Sequence, residues 1–354
     1  MINLSNLTPN KVSTDLSSYS MLLYGDSKSG KTTLVHDLYG DRVLHIMTEK
    51  RYKALEGAYV QYISSWAEYL QVIRELSTKK ELKDRFDVIS IDTVENLYEY
   101  LEKFVAGKYE EENVGDRDDL WGKDWVDLRN MWKSGLLKIE RAGFTPVFVS
   151  HAIQQTVQIP TSAIVSEEAR AVPNATEIKD KKTGKAYIEF LQYQPDLKEK
   201  VLAPINKMVD NILYIALTVD ENGKEQRVIH LRSTMQWQAG STFKNIKSPI
   251  PLNADAYKSA VEEAVNSIDD EFKKEERFSD FDIKPEELDF DALMTEAKEV
   301  AKVMASNDKM ATVTAVVEEV FGSGALLTQA NPKQVELLAV AVERLKEEKE
   351  KAGI

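Results

Sequence analysis

A chain of 354 residues is long enough for one large core with an appendage or for two domains, and 43% hydrophobic with 30% charged residues is a globular composition. The formal net charge of −13 excludes a surface that binds polyanions generally, so any nucleic-acid contact must come from a local basic patch. The absence of cysteine excludes disulfides, thiolate zinc sites and cysteine nucleophiles.

Met1 to Leu16 is polar and lacks the charged-then-apolar pattern of a signal segment, and no apolar run approaches a membrane span. A cytosolic protein is expected. Ser20 to Tyr24 reads as a buried strand, Lys31 to Leu38 as a helix, Arg42 to Met47 as a second strand and Trp66 to Leu76 as an amphipathic helix. Phe86 to Ile91 is a third strand ending in Asp92. Helical patterning resumes over Val94 to Phe104 and Trp125 to Arg141, and Pro146 to Ser150 is a short fourth strand. Such alternation predicts a mostly parallel sheet covered by helices on both faces, with its ligand at the carboxyl ends where Gly25, Glu49, Asp92 and Ser150 fall. Ile178 to Phe190 and Ile212 to Leu231 read as β-hairpins, the second with an Asn222-Gly223 turn. Asp269 to Asp291 is strongly acidic around Lys284-Pro285 and reads as a solvated linker, and Phe290 to Lys351 is helical throughout, broken at Gly322-Ser323-Gly324 and Asn331-Pro332. The expected organisation is an N-terminal segment 1–18, a core 19–267, a linker 268–289 and a helical domain 290–354.

Between the first strand and first helix stands Gly25-Asp26-Ser27-Lys28-Ser29-Gly30-Lys31-Thr32-Thr33, which matches the phosphate-loop pattern in the context that pattern requires. Glycines let backbone N–H groups wrap a phosphate at a helix N-terminus. Lys31 is expected to reach the β- and γ-phosphates of ATP, and Thr32 to hold Mg²⁺. Lys28 lies in the loop without a catalytic role. Asp92, closing an apolar strand, is the expected second carboxylate for magnesium, a role compatible with its capping the next helix. Glu49 reads either as the base that orients the attacking water or as a surface glutamate beside Lys50 and Arg51. Ser150-His151 reads as a γ-phosphate sensor or as a structural pair. Arg232 and Lys244 are candidate cationic fingers for a neighbouring subunit's γ-phosphate.

Together, the loop, Glu49, "FDVISIDTVENL", "WGKDWVDLRNMW", "PVFVSHA" and "YQPDLKEKVLAPINKMVDNILYI" resemble the phage-encoded RecA-like AAA ATPases, some of them single-strand annealing recombinases. The resemblance runs from about residue 19 to about 250. "FGSGALLTQANPKQVELLAVAVERL" is similar to the small helical module such proteins carry at the C-terminus. It implies a RecA-like P-loop core with terminal β-hairpins, Glu49 as base, Ser150-His151 as sensor, a host bacterial cytoplasm, and single-stranded DNA facing the loop after the sensor. Where that family usually has a glycine-rich turn after its glutamate, this chain has Lys50-Arg51-Tyr52-Lys53.

Lys179, Lys181, Lys182 and Lys185 cluster on one hairpin, with Tyr187 and Phe190 nearby for base stacking; a solvated lysine-rich hairpin is the other reading. Several aligned copies, a homo-oligomer, would bring such hairpins together despite the acidic whole. Three functions follow: a DNA-stimulated ATPase for phage recombination, annealing or replication; a slow nucleotide-gated protein recruiting an unknown partner through its C-terminal helices; and a small-molecule P-loop kinase. The kinase ranks last, since a closing lid needs several arginines and only Arg170 lies between His151 and Lys200.

Overall fold

The computed structural model describes residues 9–163, 175–180, 183–220, 222–277 and 288–354. Arg170, Lys181, Lys182, Glu221 and Lys284-Pro285 lie outside them. The chain divides into two compact units, residues 1–279 and 280–354.

In the first unit the elements run β1 (Val12–Ser13), β2 (Met21–Gly25), α1 (Lys31–Tyr39), β3 (Val43–Met47), β4 (Tyr59–Tyr62), α2 (Trp66–Thr78), α3 (Lys80–Arg85), β5 (Val88–Asp92), α4 (Val94–Lys108), α5 (Lys123–Arg141) and β6 (Thr145–Pro160). They continue with β7 (Thr176–Lys179), β8 (Ala186–Pro195), α6 (Glu199–Met208), β9 (Asn211–Val219), β10 (Glu225–His230), β11 (Gly240–Ser241), β12 (Ile250–Pro251), α7 (Ala254–Asn266) and β13 (Lys273–Lys274). The sheet order is β12-β10-β9-β2-β6-β5-β3-β4, parallel from β9 to β4 and antiparallel at β10 and β12. Every residue of β2 and β5 is buried, as a parallel strand covered on both faces requires. Alternate side chains of β2 enter two cores: Leu22 joins α2, α4, α5 and α6 on one face, and Met21 and Leu23 join α1 and α7 on the other. This is the mixed α/β, P-loop type of fold that the alternation predicts. Among the described residues no helix is long and apolar enough to cross a membrane.

Three stretches differ from their sequence patterns. The short fourth strand is instead a 16-residue strand, β6. Its first half lies between β2 and β5, and its second half leaves the parallel sheet to pair antiparallel with β8, from Ala152 opposite Pro195 to Pro160 opposite Tyr187. Ile153, Val157 and Ile159 alternate with exposed Gln154, Thr156, Gln158 and Pro160, a period-two pattern that carries the strand onward. β7 completes this three-stranded arm. Second, the acidic run does not begin as a solvated linker: β13 pairs in parallel with β1, and Arg277 bonds to Asp87, Thr145 and Ser17. A charged segment packs here because its backbone enters a ladder and its arginine finds a carboxylate and three further oxygens, the Ser17 and Asp87 carbonyls and the Thr145 hydroxyl. Third, the helical tail has an additional break.

That tail is the second unit, α8 (Phe290–Ser306), α9 (Met310–Phe321) and α10 (Val335–Lys351). The additional break is at Asn307–Lys309, where Asp308 takes φ +58° and Lys309 N–H closes on the Met304 carbonyl at 3.0 Å. Val300, Met304, Val313, Val316 and Leu345 form one part of its core, and Ala297, Leu338 and Val342 the other.

Candidate functional site

The carboxyl ends of β2, β3, β5 and β6 adjoin, with Gly25 in register with His151, and Asp92 with both Met47 and Val149. The loop after β2 needs its glycines. A Cβ on Gly25 would stand 2.8 Å from the Ile215 carbonyl oxygen, and Gly30 opens α1 at φ +100°. The first N–H groups of α1 have no acceptor within the helix, which makes its start an anion site. Lys31, the first helical residue, is buried and donates from Nζ to the carbonyls of Gly25 (2.9 Å) and Asp26 (2.8 Å), inside the hollow of the loop. Burial pulls its pKa down, opposed by Asp92, Glu95, Asp26 and Glu49. Ser29 lies buried in the same loop with no partner for its hydroxyl. Asp26, Ser27 and Lys28 form the exposed tip.

Thr32 Oγ1 donates to Asp92 Oδ2 at 2.5 Å, which brings the two expected magnesium ligands together. Asp92 is buried, and desolvation raises its pKa to about 6 against the lowering effects of Thr32 and Lys31. Among the described residues no group of three or more His, Asp or Glu side chains forms a metal cage. One carboxylate and one hydroxyl beside a phosphate cradle suit Mg²⁺, which keeps most of its shell from water and phosphate oxygens. The buried ammonium, the unpartnered Ser29 hydroxyl and the Thr32–Asp92 pair therefore fit a magnesium–nucleotide complex.

The chain leaves β5 through a cis Asp92–Thr93 peptide into α4. Thr48 fastens this corner: its N–H donates to the Asp92 carbonyl (2.8 Å) and its hydroxyl accepts from Thr93 N–H (2.8 Å). Beyond it, Glu49 Oε2 pairs with Arg51 Nε at 3.0 Å and Oε1 accepts from Asn96 Nδ2 at 3.4 Å. Arg51 Nη1 also donates to Ser27 Oγ at 3.0 Å. Glu95 Oε1, in the first turn of α4, accepts from His151 N–H (3.1 Å) and lies 2.7 Å from Nδ1, while its buried Oε2 has no partner. The Glu95 carboxylate holds the His151 pKa above its ordinary value, with burial opposing. Ser150 turns elsewhere, its hydroxyl accepting from Asp196 N–H at 3.2 Å, so of the expected sensor pair only His151 reaches the carboxylates.

The remaining candidates lie apart. Arg232 Nη2 donates to the carbonyls of Phe243 (2.6 Å) and Lys244 (2.5 Å), tying its own loop, and Lys244 is exposed. Lys179 and Lys185 are exposed at the β7–β8 turn, closed by Asp180 N–H to the Lys185 carbonyl (2.9 Å). Phe190 is not available for stacking: it is buried opposite Val157, because strand alternation puts Ile188 and Phe190 on one face and Tyr187 on the other. Glu95 and Asn96 belong to no site motif along the sequence. The one signal for them was a second carboxylate three residues after Asp92, one helical step from the strand end.

The glycine-lysine loop after the first strand of a mostly parallel sheet, with a buried aspartate two strands away, defines a P-loop type of nucleotide-binding fold. The AAA domain family model matches residues 17–243, and the chain belongs to that family. The SPbeta prophage-derived uncharacterized protein YorG of Bacillus subtilis (strain 168) is 26% identical to it over 359 residues, covering 98% of each chain.

Proposed function

We propose that the protein is a RecA-like ATPase that acts on single-stranded DNA in recombination, annealing or replication of a phage genome. The observation that carries this reading is the joining of two parts on one strand: β6 passes the phosphate loop at Ser150-His151 and continues as the edge of the arm that bears Lys179 and Lys185. Magnesium-bound ATP supplies the phosphoanhydride and the charge-neutralising cation. Lys31 and the α1 N-terminus would hold phosphate oxygens and Thr32 and Asp92 the cation, while Glu49 would take a proton from the water that bonds to the γ-phosphorus as its bond to the leaving ADP oxygen breaks. His151 carries the state of the site through Glu95 to the arm. Several copies align their lysine turns along a strand in the host cytoplasm, where local charge outweighs the acidic total.

The test is ATP turnover with and without single-stranded DNA. Turnover should rise with DNA, and binding should weaken with salt at a slope of about −0.7 per phosphate contact. Changing Lys179, Lys181, Lys182 and Lys185 together to serine should flatten that slope and remove the stimulation. A second reading is favoured by the Glu49–Arg51 ion pair, which occupies the proposed base: a slow, nucleotide-gated protein that recruits a partner through α8–α10. Unchanged turnover with DNA, and no strand binding at low salt with ATP present, would select it.

A further inference from the structure

We propose that Arg51 reads the terminal phosphate of a nucleoside triphosphate and, in moving to it, releases Glu49. This rests on the nucleotide reading of the site. Arg51 stands on the segment after β3, and its guanidinium bridges two parts of the site: Nε meets Glu49 Oε2 and Nη1 meets Ser27 Oγ, each at 3.0 Å. Ser27 is at the exposed tip of the phosphate loop, and the Arg51 side chain is 61% exposed against 24% for Glu49. The guanidinium therefore sits at the mouth of the site on a largely exposed side chain, while the carboxylate beneath it also accepts from Asn96.

Charge gives the reason for such a residue. Asp26, Glu49, Asp92 and Glu95 all act on the buried Lys31, so a polyphosphate enters a site already rich in carboxylates. One lysine and one divalent cation would leave much of the charge of the outermost phosphate uncompensated in a site that also holds Glu49. A guanidinium presents a planar fork of donors that matches phosphate as well as carboxylate, and a dianionic phosphate competes for it strongly. Exchange of partners links recognition to chemistry: with a diphosphate Arg51 stays on Glu49, and with a triphosphate the Glu49 carboxylate is free to accept a proton.

The measurement is equilibrium binding, with Mg²⁺, of ADP and of a non-hydrolysable ATP analogue to the full chain. The wild type should prefer the triphosphate analogue, and Arg51→Ala should lose about tenfold or more of that preference while its ADP affinity changes by about twofold or less. Arg51→Lys should recover only part, because an ammonium lacks the fork. Glu49→Gln should raise the preference, since Arg51 then leaves no ion pair behind, and that gain should vanish in the double variant with Arg51→Ala. Thermal denaturation confirms that each variant is folded. An unchanged preference in folded Arg51→Ala overturns the assignment while leaving the nucleotide site standing, and a Glu49→Gln gain that persists without Arg51 overturns the exchange. Wild type that binds neither nucleotide overturns both this assignment and the reading beneath it.

Discussion

His45 on β3 is fully buried, and neither ring nitrogen has a hydrogen-bond partner. Burial, with the nearby His36 adding, lowers its pKa from 6.5 to about 4. Between these values the unfolded chain binds a proton that the folded chain does not. Stability from this residue is therefore complete above pH 6.5 and is lost as pH falls towards 4, at about 1.4 kcal/mol per pH unit and about 3 kcal/mol in all. Asp92 acts in the opposite sense. Its pKa is raised to about 6, so the folded protein takes up the extra proton, and stability from Asp92 is present below pH 3.8 and lost as pH rises through 6. The two slopes nearly cancel between pH 4 and 6. His45→Leu, close in volume, removes one of them. Urea unfolding from pH 4.5 to 7.5 should show the variant gaining about 2 kcal/mol on the wild type between pH 6.5 and pH 5, other titrations being common to both. Asp92→Asn should tilt the curve the other way. A difference between wild type and His45→Leu that does not change with pH would refute the reasoning.

Lys31→Ala should abolish nucleotide binding in equilibrium titrations, and Lys31→Met, which keeps the buried length, should do the same with a smaller loss of thermal stability. Glu49→Gln should keep nucleotide binding while turnover drops about a hundredfold or more, whereas Asp92→Asn should impair the magnesium-dependent part of binding as well; equal and mild effects from both would mean that the base lies elsewhere. A chain ended after residue 277 should unfold at nearly the temperature of the first unit in the full chain. One ended after Ser267 loses the β1–β13 ladder and the Arg277 bonds and should be less stable by about 2 kcal/mol or more, read by chemical denaturation.

The phosphate loop was legible because its chemistry is local: eight consecutive residues hold the glycines, the lysine and the threonine, and flanking periodicities announce the strand and the helix. The place of Asp92 was legible for a related reason, since a carboxylate that closes an apolar run marks the carboxyl end of a buried strand. What joins residues across the chain was not. Glu95 meets His151 from 56 residues away and Arg51 meets Ser27 from 24, and no pattern along the sequence encodes either encounter. The Lys31 ammonium is enclosed by the Gly25 and Asp26 carbonyls, a property of the folded loop rather than of lysine, and the motif does not announce it. β6 was cut short because its apolar run ends at Val149, after which burial alternates, and a strand that changes from two covered faces to one changes its pattern midway.

That change of surroundings along β6 gives the strand the geometry of a lever. From His151 to Pro160 are nine steps, about 30 Å at the rise of an extended chain. Cross-strand bonds to β8 along this span keep it from buckling. A tilt of about 5° at His151 would swing the far end sideways by about 2.6 Å, about half the spacing between neighbouring strands.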